Sequence, residues 1–247
     1  MKLTIDNKAR LSGASPKLHR ELVNHFTIEN PAFVEAVKAG RCSFGIDRML
    51  CYCQETLGGL VMPRGAARDV LAMAQKHGRV EIIDHRLQLP EIDLHFRGNL
   101  RAYQQQAIHG LLGPHFGVLD AGTGSGKTVM GLAMIAARQQ PTLILVHTKE
   151  LLYQWKELIQ TYLGIEAGLI GDGHFDVRPV SVGIINTVKK ATERLSDRFG
   201  HLVVDECHRT PSSTFRETVT AFPAKYSLGL SATPYRRDGL GWRRLDN

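Results

Sequence analysis

Two short stretches carry residue types whose spacing could do chemistry. The first is AGTGSGKT, residues 121–128. Small residues let the backbone N–H groups of a loop close around an anion. A helix starting directly behind the loop adds the positive end of its dipole. Ala121, Gly122, Thr123, Gly124, Ser125 and Gly126 supply such a loop, Lys127 a cation that reaches the terminal phosphates of a polyphosphate, and Thr128 a hydroxyl oxygen for a divalent metal. The second stretch is HLVVDECH, residues 201–208, where Asp205 and Glu206 stand side by side behind a short apolar run. Two carboxylates at the edge of a core are costly to hold. Beside a polyphosphate they have a use: Asp205 binds the metal, usually through water, and Glu206 orients and polarises the water that attacks phosphorus. The pair of motifs predicts phosphoryl hydrolysis, with Lys127, Asp205 and Glu206 as the catalytic set.

Such a site needs strands to carry it, because ligands of open α/β sheets bind at the carboxyl ends of the strands. From residue 99 the sequence alternates accordingly. A helix is expected over LRAYQQQAIHGLL after Asn99, then a strand in HFGVLDA, the glycine-rich loop, and a helix in TVMGLAMIAARQQ. TLILVHT, 142–148, reads as a buried strand. KELLYQWKELIQTYLG places Leu151, Trp155, Leu158 and Tyr162 on one helical stripe ending near Gly164. Trp155 reads as core on this stripe rather than as a platform for bases. Further short apolar runs recur at EAGLI, SVGIIN, HLVVDE and YSLGLSA. Short buried strands alternating with helices predict an α/β fold, a parallel sheet with helices on both faces.

The first 95 residues have a different texture and predict a small α/β domain, giving expected domains at 1–95 and 96–247. Ser15-Pro16 and Asn30-Pro31 each pair an N-cap residue with proline at the first helical position. The second of these helices should end near Gly40. Ala67, Val70, Leu71 and Ala74 share a helical face before Gly78, and VEIIDHR, 80–86, reads as a strand.

The composition is that of a water-soluble domain: 43% hydrophobic and 22% charged residues, with four cysteines too few for a disulfide framework. The CxC of Cys51 and Cys53 has no second pair at zinc-ligand spacing and reads as thiols. No apolar run approaches the roughly 18 residues that cross a bilayer, and MKLTIDNKAR has no signal-peptide core, so a cytoplasmic chain is expected. The net charge of +7 favours a polyanionic partner. YRRDGLGWRR, 235–244, gathers four arginines with Tyr235 and Trp242, the latter read as a base-stacking or lobe-facing side chain.

The motifs together resemble a known family. AGTGSGKT, DECH and SAT (231–233) are similar to motifs I, II and III of superfamily 2 helicases and translocases. LRAYQQQAI resembles their adenine-reading Q-type motif, LVHTKELLYQW motif Ia and GIINTVKKA motif Ib. LGLSATPYRRDGL resembles the XPB-like branch and its type III restriction subunit-like relatives. The RRD at 236–238 stands where XPB proteins have Arg-Glu-Asp, with Arg237 in place of the glutamate. ENPAFVEAVKAGR, GGLVMPRG and VEIIDHR resemble the N-terminal damage-recognition-like domain of the same branch.

The resemblance implies a P-loop RecA-like lobe preceded by a DNA-engaging module, with ATP and Mg²⁺ as cofactors and DNA as partner. Gln104 would read the adenine edge and Arg101 would contact the base. Thr148, Lys149, Asn186 and Thr187 would touch the nucleic-acid backbone. His208, Ser231 and Thr233 would couple nucleotide state to the nucleic acid, with Arg236 on the same side. Arg41, Arg48, Arg64 and Arg68 are candidate phosphate contacts in residues 1–95. The implied function is the N-terminal part of an ATP-dependent DNA helicase or translocase. RNA as the track, and a nucleic-acid-binding module that uses ATP as a switch or not at all, stay open as alternatives. Superfamily 2 motors hydrolyse ATP between two RecA-like lobes. The second lobe would come from a C-terminal continuation or a partner, and little turnover is expected from these 247 residues alone.

Overall fold

A computed structural model of the chain describes residues 1–207 and 213–232. The described residues divide into two compact units, one over Met1–His85 and one over residues 86–232.

The first unit contains β1 (Lys2–Ile5), β2 (Lys8–Ser12), α1 (Pro16–His25), β3 (Thr27–Glu29), α2 (Pro31–Lys38), β4 (Met49–Cys51), β5 (Gln54–Thr56), β6 (Gly59–Pro63), α3 (Ala67–Gln75) and β7 (Glu81–Asp84). Five of the strands form a sheet in the order β5-β6-β2-β1-β7, and β3 pairs with β4 apart from it. The two proline-started helices are capped as the sequence predicts. The Ser15 side chain accepts from the Leu18 N–H, and the Asn30 side chain from the Ala32 N–H. α2 ends at Lys38, two residues before Gly40, which takes φ 63°. Leu3, Leu11, Leu18, Leu22, Leu60, Met62 and Val70 form this unit's own core.

The second unit contains α4 (Ala102–Leu112), β8 (Phe116–Asp120), α5 (Lys127–Arg138), β9 (Thr142–Val146), α6 (Lys149–Leu163), β10 (Gly168–Gly171), β11 (His174–Phe175), β12 (Val180–Ile184), α7 (Ile185–Lys190), α8 (Thr192–Leu195), β13 (His201–Val204), α9 (Ser213–Ala221) and β14 (Tyr226–Ser231). Its seven-stranded sheet runs β11-β10-β12-β9-β13-β14-β8. Every pairing is parallel except the β10–β11 hairpin. Thr142–Val146 is buried along its whole length, as a central parallel strand must be. Among the described residues, no helix is long and apolar enough to cross a membrane.

Two details differ from the sequence expectation. The helix expected directly after Asn99 begins at Ala102, because the Gln104 side chain turns back to accept the Arg101 N–H at 2.9 Å and holds Arg101 extended as its N-cap. On α6 the buried stripe is Leu152, Trp155, Ile159 and Leu163, which keeps Trp155 of the expected stripe and moves its other three positions on by one residue. The helix is apolar over a wide arc. The sheet takes the aliphatic edge, while Tyr162 stacks on Phe96 with ring centroids 5.7 Å apart.

The segment that leads into α4 is laced to the second unit. Leu89 exchanges two hydrogen bonds with the Gln140 amide, both 2.9 Å. Leu94 exchanges two with the Gln139 amide, at 3.2 and 2.7 Å. The Arg97 N–H donates to the Tyr162 carbonyl at 2.8 Å. Residues 87–97 thus belong to the compact unit that starts at Arg86.

Candidate active site

The carboxyl ends of β8, β14, β13, β9 and β12 lie along one edge of the sheet. Asp120 is in register with Ser231, and Val204 with both Gly229 and Leu145. The Ala121 N–H donates to the Ser231 carbonyl at 3.1 Å, and the Asp205 N–H to the Leu145 carbonyl at 3.0 Å. These contacts bring the glycine-rich loop, the Asp205–Glu206 pair and Ser231 to neighbouring strand ends, although 110 residues separate Ala121 from Ser231.

The loop is shaped by its glycines. Gly124 and Gly126 take φ 80° and 81°, a region that side chains with a Cβ adopt only with strain. A Cβ on Gly126 would also stand 2.7 Å from Gln104 Nε2. Gln104 Nε2 donates to the Ser125 carbonyl at 3.0 Å, and the Tyr103 hydroxyl donates to the same oxygen at 2.9 Å. Both ends of the buried Gln104 amide are therefore engaged within the chain, tying the start of α4 to the loop. Lys127, the first residue of α5, folds its ammonium over the loop, donating to the Ala121 and Gly122 carbonyls at 2.9 and 3.1 Å. The Ser125 Oγ is buried in the loop and has no hydrogen-bond partner among the described residues.

Asp205 is only 6% exposed. Its Oδ2 accepts the Trp155 indole N–H at 2.8 Å and its Oδ1 the Glu206 backbone N–H at 2.9 Å. Burial raises the Asp205 carboxyl above its ordinary range. The Trp155 hydrogen bond opposes the rise, the Glu206 charge adds to it, and the Lys127 ammonium counters it. Glu206 takes φ 50°, a left-handed backbone that is unusual for a glutamate. Such strain concentrates where a side chain must be aimed.

The residues expected to meet nucleic acid sit further along the same edge. The Thr148 side chain caps α6 by accepting the Leu151 N–H at 3.3 Å, and Lys149 opens the helix on the surface. Asn186 is exposed and Thr187 half-buried on α7, directly behind β12, whose Ile184 is in register with Val146 of β9. In the first unit Arg48 and Arg68 are exposed. Arg41 is exposed and paired with Glu35 at 3.0 Å. Arg64 is 3% exposed and so does not offer its guanidinium to a backbone outside the chain. His208, Thr233, Arg236, Arg237 and Trp242 lie outside the described residues.

Sequence reasoning missed Tyr103 and the Trp155–Asp205 contact. Tyr103 stands beside Gln104 in the Q-type motif, and that neighbourhood was its only signal. Trp155 carried a signal of burial and none of polar contact.

The donor set suits a metal-bound polyphosphate. It combines a left-handed glycine cradle at the N-terminus of the twelve-residue α5, an ammonium, a hydroxyl at Thr128, the carboxylate of Asp205 and a serine hydroxyl short of a partner. Among the described residues, no three His, Cys, Asp or Glu side chains gather in a group that could hold a metal ion. A cation here would take most of its ligands from phosphate and water, the habit of Mg²⁺.

Residues 97–236 match the family described as Type III restriction enzyme, res subunit, and the chain belongs to that family of helicase-related proteins. It is 36% identical over 140 residues to the DNA 3'-5' translocase XPB2 of Sulfurisphaera tokodaii, covering 57% of this chain and 32% of that one. It is 34% identical over 124 residues to the probable helicase D10 of Escherichia phage T5, covering 50% and 28%. The chain thus spans about a third or less of the length of these two relatives. In fold it is similar to the UvsW helicase from Bacteriophage T4, with a TM-score of 0.69 over 99% of this chain and 96% of that one, at 19% identity. The mostly parallel seven-stranded sheet is the RecA-like sheet of helicases.

Proposed function

We propose that this chain binds ATP with Mg²⁺ at the carboxyl edge of the seven-stranded sheet, as the nucleotide-binding part of a DNA helicase or translocase. The observation that carries the reading is the meeting of Lys127, Ser125, Asp205 and Glu206 on neighbouring strand ends, around a loop whose backbone only glycine adopts without strain. When bound, Mg²⁺–ATP supplies the electrophilic phosphorus and the energy of its cleavage.

The chain's own groups divide the remaining work. The N–H groups of residues 123–128 and the α5 dipole hold phosphate oxygens. On phosphate binding, Lys127 exchanges its two loop carbonyls for the anion. Thr128 and Asp205 hold the metal, and Glu206 orients the attacking water. Tyr103 and Gln104 brace the loop from α4 and leave Arg101 at the base side. Thr148, Lys149, Asn186 and Thr187 touch the nucleic-acid backbone, which positions the strand without reading its sequence. Support for DNA as the track comes from the net charge of +7 and from the named activity of the XPB2 relative.

The test is made with a second RecA-like lobe present, in the same polypeptide or from a partner. Glu206→Gln should keep nucleotide affinity within about twofold and lower DNA-stimulated hydrolysis at least ~100-fold, the scale of a lost general base. Turnover equal to the wild type would remove Glu206 from the mechanism.

A further inference from the structure

Trp155 is 1% exposed, and its only polar atom is the indole N–H. That N–H is spent on Asp205 Oδ2 at 2.8 Å, across 50 residues of sequence. The ring itself is wedged. A Cβ on Gly131 of α5 would lie 3.3 Å from the indole Cη2 and 3.2 Å from Leu230 Cδ1 of β14. Trp155 therefore touches the helix behind the phosphate loop and the strand end that carries the carboxylates, while growing from α6, whose first turn holds Thr148 and Lys149. A tryptophan needed only as filling would be served by any nearby carbonyl for its N–H. Here it takes the carboxylate to which the proposed function gives the metal.

We propose that Trp155 is a positioning residue of the metal site: its indole N–H fixes the rotation of the Asp205 carboxylate. This rests on the nucleotide-site reading above. A carboxylate offers about four lone pairs. The Trp155 and Glu206 N–H groups take one on each oxygen, so the plane of the group is set and one lone pair per oxygen remains for metal-bound water. Without the indole donor the carboxylate turns about its last bond, and those lone pairs lose their aim. Partners that orient a metal ligand in this way typically change metal affinity by about 10–100-fold when removed.

The test replaces the N–H and little else. Benzothienylalanine introduced at position 155 keeps the two-ring shape and has sulfur where the N–H was, 5-fluorotryptophan keeps the donor, and Trp155→Phe is the simple variant. ADP binding is measured by calorimetry in EDTA and across a Mg²⁺ series. Removal of the donor should leave ADP affinity in EDTA unchanged and raise the Mg²⁺ concentration for half-maximal enhancement about 10-fold, with 5-fluorotryptophan matching the wild type. Independently of nucleotide, the Trp155 indole ¹H–¹⁵N resonance should shift in Asp205→Asn. An unchanged Mg²⁺ dependence in the benzothienyl protein, with wild-type binding intact, overturns the role of Trp155 alone. A wild type that binds no ADP overturns the nucleotide site and this inference with it, and ADP binding without Mg²⁺ dependence overturns the metal site alone.

Discussion

His201 opens β13 at the end of the strand away from Asp205 and is fully enclosed, 1% exposed. Burial, with the Arg138 charge adding to it, pushes its imidazole from 6.5 down to about 3. Its Nδ1 lies 3.4 Å from the Thr142 hydroxyl, and Tyr226 meets the ring edge-on. The native state therefore keeps His201 neutral where the unfolded chain would protonate it. The stability tied to this is whole above pH 6.5 and drains away as pH falls towards 3. At pH 5 the loss should be on the order of 2 kcal/mol. Urea midpoints at pH 7 and pH 5 check it: the wild type should drop, and His201→Gln should drop by visibly less. An equal fall in both proteins would show that other groups carry the acid sensitivity. The residues of the candidate site stand out in sequence because local spacing defines them: eight consecutive residues make the glycine-rich loop, and two make the carboxylate pair. The Trp155–Asp205 bond was not readable, since nothing local to an apolar helix names an acceptor on a distant strand. The left-handed backbone of Glu206 was hidden for the same reason, being imposed by the sheet around it.

Among the elements, strands were legible wherever burial on both faces forced an apolar run, as in Thr142–Val146 and His201–Val204. Helix ends were legible where a cap residue announced them, as at Ser15, Asn30 and Gly164. The segment 87–97 was not, because its partners are two side-chain amides at a helix end and scattered backbone groups of remote elements rather than a periodic pattern. Gln139 takes φ 53° there, and its amide serves Leu94 in both directions. This yields a prediction about trimming. A chain beginning at Arg86 should melt as a cooperative unit. A chain beginning at residue 98 strips the buried Gln140 amide of its Leu89 partners and uncovers the core around Leu94, now 5% exposed. Each orphaned buried group costs about 1–3 kcal/mol, so the shorter chain should melt at least several degrees lower. Matching melting temperatures for the two chains would mean that the segment merely lies on the surface.

At the scale of the whole molecule, charge and the first unit enter together. The chain carries +7, and Arg48 and Arg68 stand exposed on the Met1–His85 unit. From the resemblance of residues 1–95 to a damage-recognition-like module, we propose that this unit shares the grip on DNA. Binding should then weaken linearly on a log–log plot against salt, with a slope near −0.9 per phosphate neutralised on duplex. The chain that begins at Arg86 should bind more weakly and with a shallower slope, with sequence preference unchanged, because backbone contacts carry no base code. Filter binding across a salt series on both chains decides it. Identical affinity and slope would leave the first unit as a brace for the second.

The central claim is that the loop at 121–128 holds a metal-bound nucleotide, and calorimetric titration of Mg²⁺–ADP into the wild type and Lys127→Ala tests it most directly. The wild type should show saturable binding, and the variant should show none measurable, because the phosphates would lose the ammonium that the fold places over their loop. Equal affinity in the two proteins would contradict the assignment.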